Sequence, residues 1–294
     1  MGGAFRTDLA LESAQIMGHS PEKPLPGVES REEELLGYRL TRVSVTSAEG
    51  ARLVGKPEGR YLPLVLGPLF RREPEAFSRG ARAVAQLLRE LLPAGMGQKG
   101  EALVVGLGNR MVTPDAVGPR SCDHVLVTRH LLSQSPGRFD LFRPVAALSP
   151  GVLGTTGVET GDLLAALVRD LRPACLIAID ALAARSVHRL CTTLQMADTG
   201  IIPGSGIGNS RRELSRATLG LPVLAVGVPT VVDGQTLAAD LTGGQLRDRS
   251  LSSVLVTSKD IDSQITDLAK LIGFGLDLGL QEGLELEDIE LLLS

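Results

Sequence analysis

The sequence predicts an α/β protein of three layers, with a mostly parallel β-sheet and helices on both of its faces. Continuous apolar runs are typical of strands that are buried on both sides. Four such runs occur, at residues 102–107, 143–148, 175–179 and 222–228. Apolar residues at helical spacing lie between them, notably at 124–132 and 162–171. Because alternating strands and helices are joined by crossovers, these strands are expected to run parallel in one sheet.

Other elements follow from periodicity and from residues that end helices. Apolar and polar residues alternate over 38–47, which predicts a strand with one exposed face. Helical spacing over 75–92 is followed by Pro93, so a helix is expected to end there. Apolar residues also recur at helical intervals over 261–280, and a further helix is expected over 284–293.

The domain organisation follows from where the apolar segments lie. Residues 1–40 are polar and interrupted by prolines, which predicts an N-terminal arm rather than part of the core. Residues 41–294 are expected to form a single α/β domain with insertions, a small accessory region and the C-terminal helices. A chain of 294 residues is long enough for a core of that size.

Composition excludes several classes of function. The chain has 30 Lys and Arg against 34 Asp and Glu, a net charge of -4, so no broad basic face for nucleic acid is expected. Its three cysteines show neither C-x-x-C nor metal-finger spacing, which favours a reducing cytoplasm. The start of the chain lacks the pattern of a signal peptide, and no apolar run reaches the roughly 18 residues of a membrane span.

Two acids lie where predicted strands end. Ligands of open parallel sheets bind beyond the carboxyl ends of the strands. Asp180 directly follows the run at 175–179, and Asp115 comes seven residues after Gly108 in the loop that follows the run at 102–107. Neighbouring parallel strands would bring these acids to one sheet edge and into a shared site. The alternative is that each acid only caps a helix or a turn.

The loop that begins Gly106-Leu-Gly108-Asn109 resembles a nucleotide-binding loop but fails both templates. The third glycine of a dinucleotide fingerprint is replaced by Met111, and the Gly-Lys-Ser/Thr of a P-loop is absent. The two glycines instead allow a sharp exit from the strand. Backbone N–H groups and Asn109 can then face a cleft next to Asp115.

A second glycine-rich segment, 195–209, contains two partial matches to hydrolase motifs. Asp198 begins the Asp-Thr-Gly triplet of pepsin-like proteases, but those enzymes use two copies in all-β lobes or one in each subunit of a short chain. Ser205 does not lie in the G-x-S-x-G elbow of serine hydrolases. We therefore expect a pliable loop beside the cleft. Its expected supporting residues are Asp198, Gly204, Gly206 and Asn209.

Six long motifs carry a resemblance to a known family. They are, in order, GLGNRMVTPDAVGP, SPGVLGTTGVET, IAIDALAARS, LQMADTGIIPGSGIGN, RRELSRATLGLPVLAVGVPTVVD and VTSKDIDSQITDLA. Together they resemble the germination proteases of spore-forming Firmicutes, colinearly over residues 6–280. The resemblance implies the fold of hydrogenase maturation proteases and an aspartic-type endopeptidase of the spore core. It also implies the substrates, small acid-soluble spore proteins cut between Glu and an apolar residue during germination.

The resemblance also implies roles for particular residues. The two proposed catalytic aspartates of the family correspond to Asp115 and Asp180, the acids already selected at the sheet edge. The family is made as a zymogen that removes its N-terminal segment and assembles as a homotetramer. The self-processing site corresponds to the bond between Asp8 and Leu9, which makes residues 1–40 a propeptide and arm.

Two carboxylates can hydrolyse a peptide bond if one takes a proton from water while the other donates one to the carbonyl oxygen. No cofactor or metal is expected. A metal-dependent protease of the same fold is the alternative, but zinc sites usually include histidine. His124 and His130 are expected on a helix surface, and no histidine follows a buried strand. A non-catalytic binding module with the same fold is the alternative from another class.

Overall fold

One mixed sheet organises the part of the chain that the computed structural model describes, residues 7–20, 23–97, 99–134, 137, 139–243 and 249–294. Its nine strands are β1 (Val28–Leu35), β2 (Tyr38–Val45), β3 (Gly59–Val65), β4 (Ala102–Gly106), β5 (Val145–Leu148), β6 (Cys175–Ala184), β7 (Thr193–Ala197), β8 (Val223–Asp233) and β9 (Leu255–Val256). They lie in the order β1-β2-β3-β7-β8-β6-β4-β5, and β9 pairs with β8.

Helices connect and cover these strands. In the described ranges they are α1 (Ala10–Ile16), α2 (Ala48–Val54), α3 (Gly67–Phe70), α4 (Ala76–Leu91), α5 (Val117–Cys122), α6 (Arg129–Gln134), α7 (Leu153–Thr156), α8 (Thr160–Leu171), α9 (Arg216–Leu219), α10 (Gly234–Leu241), α11 (Ile261–Leu280) and α12 (Leu286–Leu293). Short 3-10 turns cover Thr113–Asp115, Val187–Arg189, Ser205–Ile207 and Arg249–Ser253.

The sheet has two halves, and the expectation of a mostly parallel sheet is wrong. Strands β8, β6, β4 and β5 pair in parallel and form what we term the parallel half. Strands β1, β2, β3 and β7 pair antiparallel, and β7 joins this antiparallel half to β8. The four predicted apolar runs form the parallel half. Sequence patterns missed β1, β3, β7 and β9. Strands β1 and β7 lack long apolar runs, β9 has only two residues, and the apolar run of β3 contains Pro63, which weakens a strand signal.

Part of the segment expected to be an arm is built into the fold. Strand β1 pairs with β2 along its whole length. Helix α1 buries Ala10 and Ala14 against Val43 and Val45 of β2. Only the terminal residues of β1 are buried, and its other positions carry polar side chains, four of them acidic, which conceal the strand pattern. Tertiary pairing, rather than its own hydrophobicity, makes this segment a strand.

Most predicted helices are confirmed, as α4, α8, α11 and α12. The helix predicted over 124–132 is wrong in its first half, because α6 begins only at Arg129. The backbone N–H of Leu126 donates instead to the buried carboxyl group of Asp277 on α11, at 2.9 and 3.0 Å from its two oxygens. A buried side chain thus satisfies backbone that periodicity assigns to a helix.

Helices cover both faces of the sheet, as predicted. On β4, Val104 packs into the cluster that contains α4 and α11 side chains. Its neighbours Leu103 and Val105 point the other way and pack with Leu164 of α8. The parallel half therefore forms the middle of three layers. None of the helices in the described ranges is long and apolar enough to cross a membrane.

Candidate active site

Asp180 lies inside a strand rather than after one. Strand β4 ends at Gly106, which pairs with Ile179, but β6 continues past Asp180 to Ala184. The prediction ends the strand too early because the polar Asp180 interrupts the apolar run, although Ala-Leu-Ala-Ala after it carries no turn signal. The side chain of Asp180 is only 5% exposed, and one of its oxygens accepts the N–H of Ala181 at 2.9 Å.

Asp115 lies in the 3-10 turn that follows β4. One carboxylate oxygen accepts the N–H of Asn109 at 2.8 Å. Gly108 has φ +109, and a Cβ there would lie 2.1 Å from the Asp115 carbonyl oxygen and 2.9 Å from its Oδ1. Only glycine allows this contact. The loop therefore holds Asp115 rather than a phosphate.

Close packing of α5 brings this turn to the strand ends. A Cβ on Gly106 would lie 2.2 Å from the carbonyl oxygen of Gly118, which belongs to α5. A Cβ on Gly118 would lie 2.5 Å from the carbonyl oxygen of Ile179 on β6. Two positions without side chains thus let the helix touch both β4 and β6. This contact places the turn of Asp115 beside Asp180.

The two aspartates border the same two cavities. The larger one, about 350 Å³, we term the Asp8 cavity; its lining includes Asp8, Asp115, Asp180, Gly204, Gly206 and Thr230. The smaller one, about 120 Å³, we term the Arg211 cavity; its lining includes Gly108, Asp115, Asp180, Gly204, Asn209 and Arg211. The two glycine-rich loops therefore meet at the aspartates.

The two carboxyl groups have different environments. Burial raises the pKa of Asp180 well above its usual range, and the charges of Asp115 and Asp8 raise it further. Burial also raises the pKa of Asp115, but the N–H of Asn109 opposes that rise by stabilising the carboxylate. Asp180 therefore retains its proton to higher pH than an ordinary aspartate. The pair can present one neutral and one ionised carboxyl group, the combination that acid–base catalysis requires.

The N-terminal segment crosses the site. The backbone N–H of Asp8 donates to the carbonyl oxygen of Ala183 at 2.9 Å. The side chain of Gln195 on β7 accepts the N–H of Ala10 at 3.0 Å and donates to the carbonyl oxygen of Asp8 at 3.4 Å. Leu9, between them, is fully buried against Leu182 and other side chains of the same cluster. The bond between Asp8 and Leu9 is thus held from both sides.

The helix after that bond is anchored separately. The buried carboxylate of Glu12 on α1 accepts the N–H groups of Arg185 and Ser186, at 2.7 and 3.2 Å. It also forms an ion pair with Arg189 at 3.2 Å. Charge-assisted hydrogen bonds of this kind are stronger than neutral ones. Glu12 therefore fixes α1 to the chain that follows β6.

Asp198 is not part of the described lining of either cavity that Asp115 and Asp180 share. Its carboxylate accepts the backbone N–H of Arg60 at 2.7 Å and pairs with the Arg60 side chain at 2.8 Å. Asp198 therefore ties the end of β7 to β3. Its expected role in the cleft is replaced by a role in the sheet.

Sequence patterns gave no sign that Gln195 and Ser205 contact residues 8–10 or that Thr230 lines the Asp8 cavity. Ser205 is considered only as a serine-hydrolase nucleophile, for which it lacks the G-x-S-x-G motif. Gln195 and Thr230 lie in strands without any catalytic pattern. Their importance depends on where residues 7–10 lie, which the sequence does not reveal. Across the described ranges, no group of three or more His, Cys, Asp and Glu side chains is arranged to hold a metal ion.

Comparison with known proteins gives consistent matches. A family model described as germination protease matches residues 6–247. The germination protease of Caldanaerobacter subterraneus subsp. tengcongensis is 39% identical, over 98% of this chain and 98% of its own. That of Clostridium perfringens is 36% identical, over 98% of this chain and 99% of its own. That of Bacillus subtilis is 43% identical, over 86% of this chain and 72% of its own.

An α/β sheet with two carboxyl groups in shared cavities, matched along most of its length by peptidases, defines the class of this protein. It is a protease, a hydrolase of peptide bonds. More particularly, the chain belongs to the germination protease family.

Proposed function

We propose that this protein is an aspartic-type endopeptidase that begins the degradation of small acid-soluble spore proteins during germination, in the spore core. It cuts after a glutamate and before an apolar residue, and it works as a homotetramer. It is made as a zymogen that cuts its own chain between Asp8 and Leu9. Membership of the germination protease family supports the substrate class and the cellular setting.

The position of Asp8 carries the proposal. Asp8 lines the same cavity as Asp115 and Asp180, and the peptide bond that follows it joins an acid to a buried leucine. This is the sequence pattern expected of a substrate. The residues on both sides of the bond are hydrogen-bonded to β6 and β7. The chain thus presents its own cleavage site at the site that would cut it.

Water activation by the two aspartates follows from their unequal pKa values. Asp115, stabilised as a carboxylate by Asn109, takes a proton from water, whose oxygen attacks the peptide carbonyl carbon. Asp180, which retains its proton, donates it to the carbonyl oxygen. When the C–N bond breaks, the proton on Asp115 passes to the leaving nitrogen, and the hydroxyl group formed from the carbonyl oxygen returns its proton to Asp180 as the C=O bond re-forms. A cavity of about 350 Å³ has room for the water.

Replacement of either aspartate tests the mechanism. Asp115→Asn and Asp180→Asn are each expected to abolish both self-cutting and cleavage of a Glu-Ile-Ala peptide while the fold persists. Mass spectrometry of a new Leu9 terminus and chromatography of the peptide measure the two reactions. Asp170→Asn, on the exposed face of α8, is the matched control and is expected to cut normally. Cleavage that survives in either active-site variant would remove the two-aspartate mechanism.

A metal-dependent mechanism is distinguished by chelation. Carboxylate oxygens are good ligands for hard divalent cations, and three carboxyl groups border the Asp8 cavity. Under the proposed mechanism, the peptide-cutting rate stays unchanged after exhaustive treatment with EDTA. Loss of activity that a divalent cation restores would replace the proposal with a metal-assisted one.

A further inference from the structure

Two neutral donors bind the carboxylate of Asp8. The backbone N–H of Ala183 lies 2.9 Å from Oδ2, and the hydroxyl group of Ser205 lies 2.6 Å from Oδ1. Each carboxylate oxygen therefore has its own donor. Hydrogen bonds to an ionised acceptor are about twice as strong as neutral ones. An acidic side chain is thus favoured over an apolar one at this point.

The backbone around this carboxylate is shaped to receive it. A Cβ on Gly206 would lie 2.1 Å from Oδ2 of Asp8 and 2.5 Å from the Cβ of Ala183, so any larger residue would close the space. The register of β6 against β8 shifts between Leu182 and Ala183. Such a bulge redirects the backbone, a device that is frequent next to active sites.

An unpartnered hydroxyl group lies in the same cavity. Thr230 is the residue of β8 that the bulge leaves without a pairing partner, between Pro229 and Val231. It is fully buried, and its Oγ1 has no hydrogen-bond partner among the described residues. Thr230 lines the Asp8 cavity together with Asp8 itself. A buried hydroxyl group without a partner costs free energy unless a ligand satisfies it.

We propose that the N–H of Ala183 and the hydroxyl groups of Ser205 and Thr230 form the subsite for the acidic side chain before the cut bond. Asp8 occupies this subsite in the uncut chain, bound by Ala183 and Ser205. A glutamate of a protein substrate is one methylene longer, so its carboxylate extends further into the cavity and reaches Thr230. The inference deepens the proposed function and rests on it.

The rate of self-cutting in the full-length chain tests the subsite. Rates are compared for chains with Asp8 and with Asp8→Asn, each with and without Ser205→Ala, by mass spectrometry of the Leu9 terminus. Ser205→Ala is expected to slow the Asp8 chain about 10- to 100-fold, the value of one hydrogen bond to a charged group. It is expected to slow the Asp8→Asn chain much less, because the amide is the weaker acceptor. An unchanged ratio between the Asp8 and Asp8→Asn chains would overturn the role of Ser205.

The role of Thr230 has its own test. Thr230→Val removes the hydroxyl group and keeps the shape of the side chain. It is expected to slow self-cutting of the Asp8→Glu chain at least about fivefold more than that of the Asp8 chain, since it removes one hydrogen bond from glutamate alone. Equal slowing of both chains, or of neither, would remove Thr230 from the subsite.

Controls separate this inference from the proposed function. Ser210→Ala, an exposed serine in the same loop, is expected to leave every rate unchanged. Thermal unfolding of each variant checks that the fold is intact. If the unaltered chain cuts neither itself nor a Glu-Ile-Ala peptide, the proposed function fails and the subsite with it. The subsite alone fails if the unaltered chain cuts both itself and the peptide, but Ser205→Ala and Thr230→Val leave the ratios of self-cutting rates between the Asp8, Asp8→Asn and Asp8→Glu chains unchanged.

Discussion

The parallel and antiparallel halves of the sheet contribute different residues to the proposed active site. The parallel half holds Asp180 on β6 and, through the loop after β4, Asp115. The antiparallel half packs α1 and supplies Gln195, which contacts the backbone on both sides of Leu9. Under the proposed function, the parallel half carries the two catalytic aspartates, and the antiparallel half adds the contacts of Gln195 to those that Ala183 of β6 makes with Asp8. Variants matched between the two halves test that division.

The largest effect is expected from a glycine in the parallel half. Gly108→Ala places a Cβ against the Asp115 carbonyl oxygen, whereas Gly55→Ala, also at positive φ but in the antiparallel half, meets open space. Both introduce backbone strain of about 1 kcal/mol, and the clash at Gly108 adds about 1–3 kcal/mol. Gly108→Ala is expected to reduce peptide cleavage at least about 100-fold, since positioning errors near 1 Å have effects of that size. Denaturant unfolding and peptide assays measure both; equal loss in the two variants would contradict the division.

A smaller effect is expected from Gln195 in the antiparallel half. Gln195→Leu leaves the N–H of Ala10 without its acceptor, so the chain is expected to lose about 1–2 kcal/mol of unfolding free energy. Self-cutting is expected to slow about tenfold, the factor that corresponds to one hydrogen bond. The Leu9 terminus is followed by mass spectrometry, with Gln134→Leu on α6 as the exposed control. Normal self-cutting would show that the antiparallel half does not position the cleaved bond.

The buried acid of the parallel half is expected to reduce stability at neutral pH. The folded pKa of Asp180 lies above its ordinary value of 3.8, so the folded state loses stability as the pH rises through that folded pKa. Asp180→Asn cannot ionise and is therefore expected to be more stable than the unaltered chain at pH 7. The difference is expected to vanish below pH 3.8, where aspartate is protonated in both states. Urea unfolding at several pH values measures this; a variant that is less stable at pH 7 would contradict it.

The smallest effect is expected from the acid of the antiparallel half. Asp198→Asn weakens a partly exposed pair with Arg60, a change worth about 1 kcal/mol or less. Because Asp198 serves the sheet, peptide cleavage is expected to stay within about twofold of the unaltered rate. A stopped or strongly slowed reaction would restore Asp198 to the active site and remove the division between the halves.

The sequence predicts the parallel half well because its strands are buried on both faces and read as unbroken apolar runs. It predicts β1 poorly because acidic side chains cover a strand that exists only through pairing with β2. It leads to Asp115 and Asp180 as neighbours through the strand-end rule, although Asp180 lies inside β6 and meets Asp115 because the shorter β4 ends beside it. It cannot place Asp8, whose contacts with Ala183 and Ser205 join residues 175 or more positions apart. The relationship to hydrogenase maturation proteases stays a prediction.

The anchoring of α1 by Glu12 gives the proposed maturation a direction. When the bond after Asp8 breaks, Asp8 is held only by its own hydrogen bonds to Ala183, Ser205 and Gln195, and it can then leave the cavity. The new amino terminus at Leu9 cannot follow, because the backbone N–H groups of Arg185 and Ser186 still hold Glu12 three residues further on. The two ends are separated as soon as they are made, so the cut is not resealed. The proposed maturation thus empties the subsite of Asp8 while α1 stays bound to the chain that follows β6.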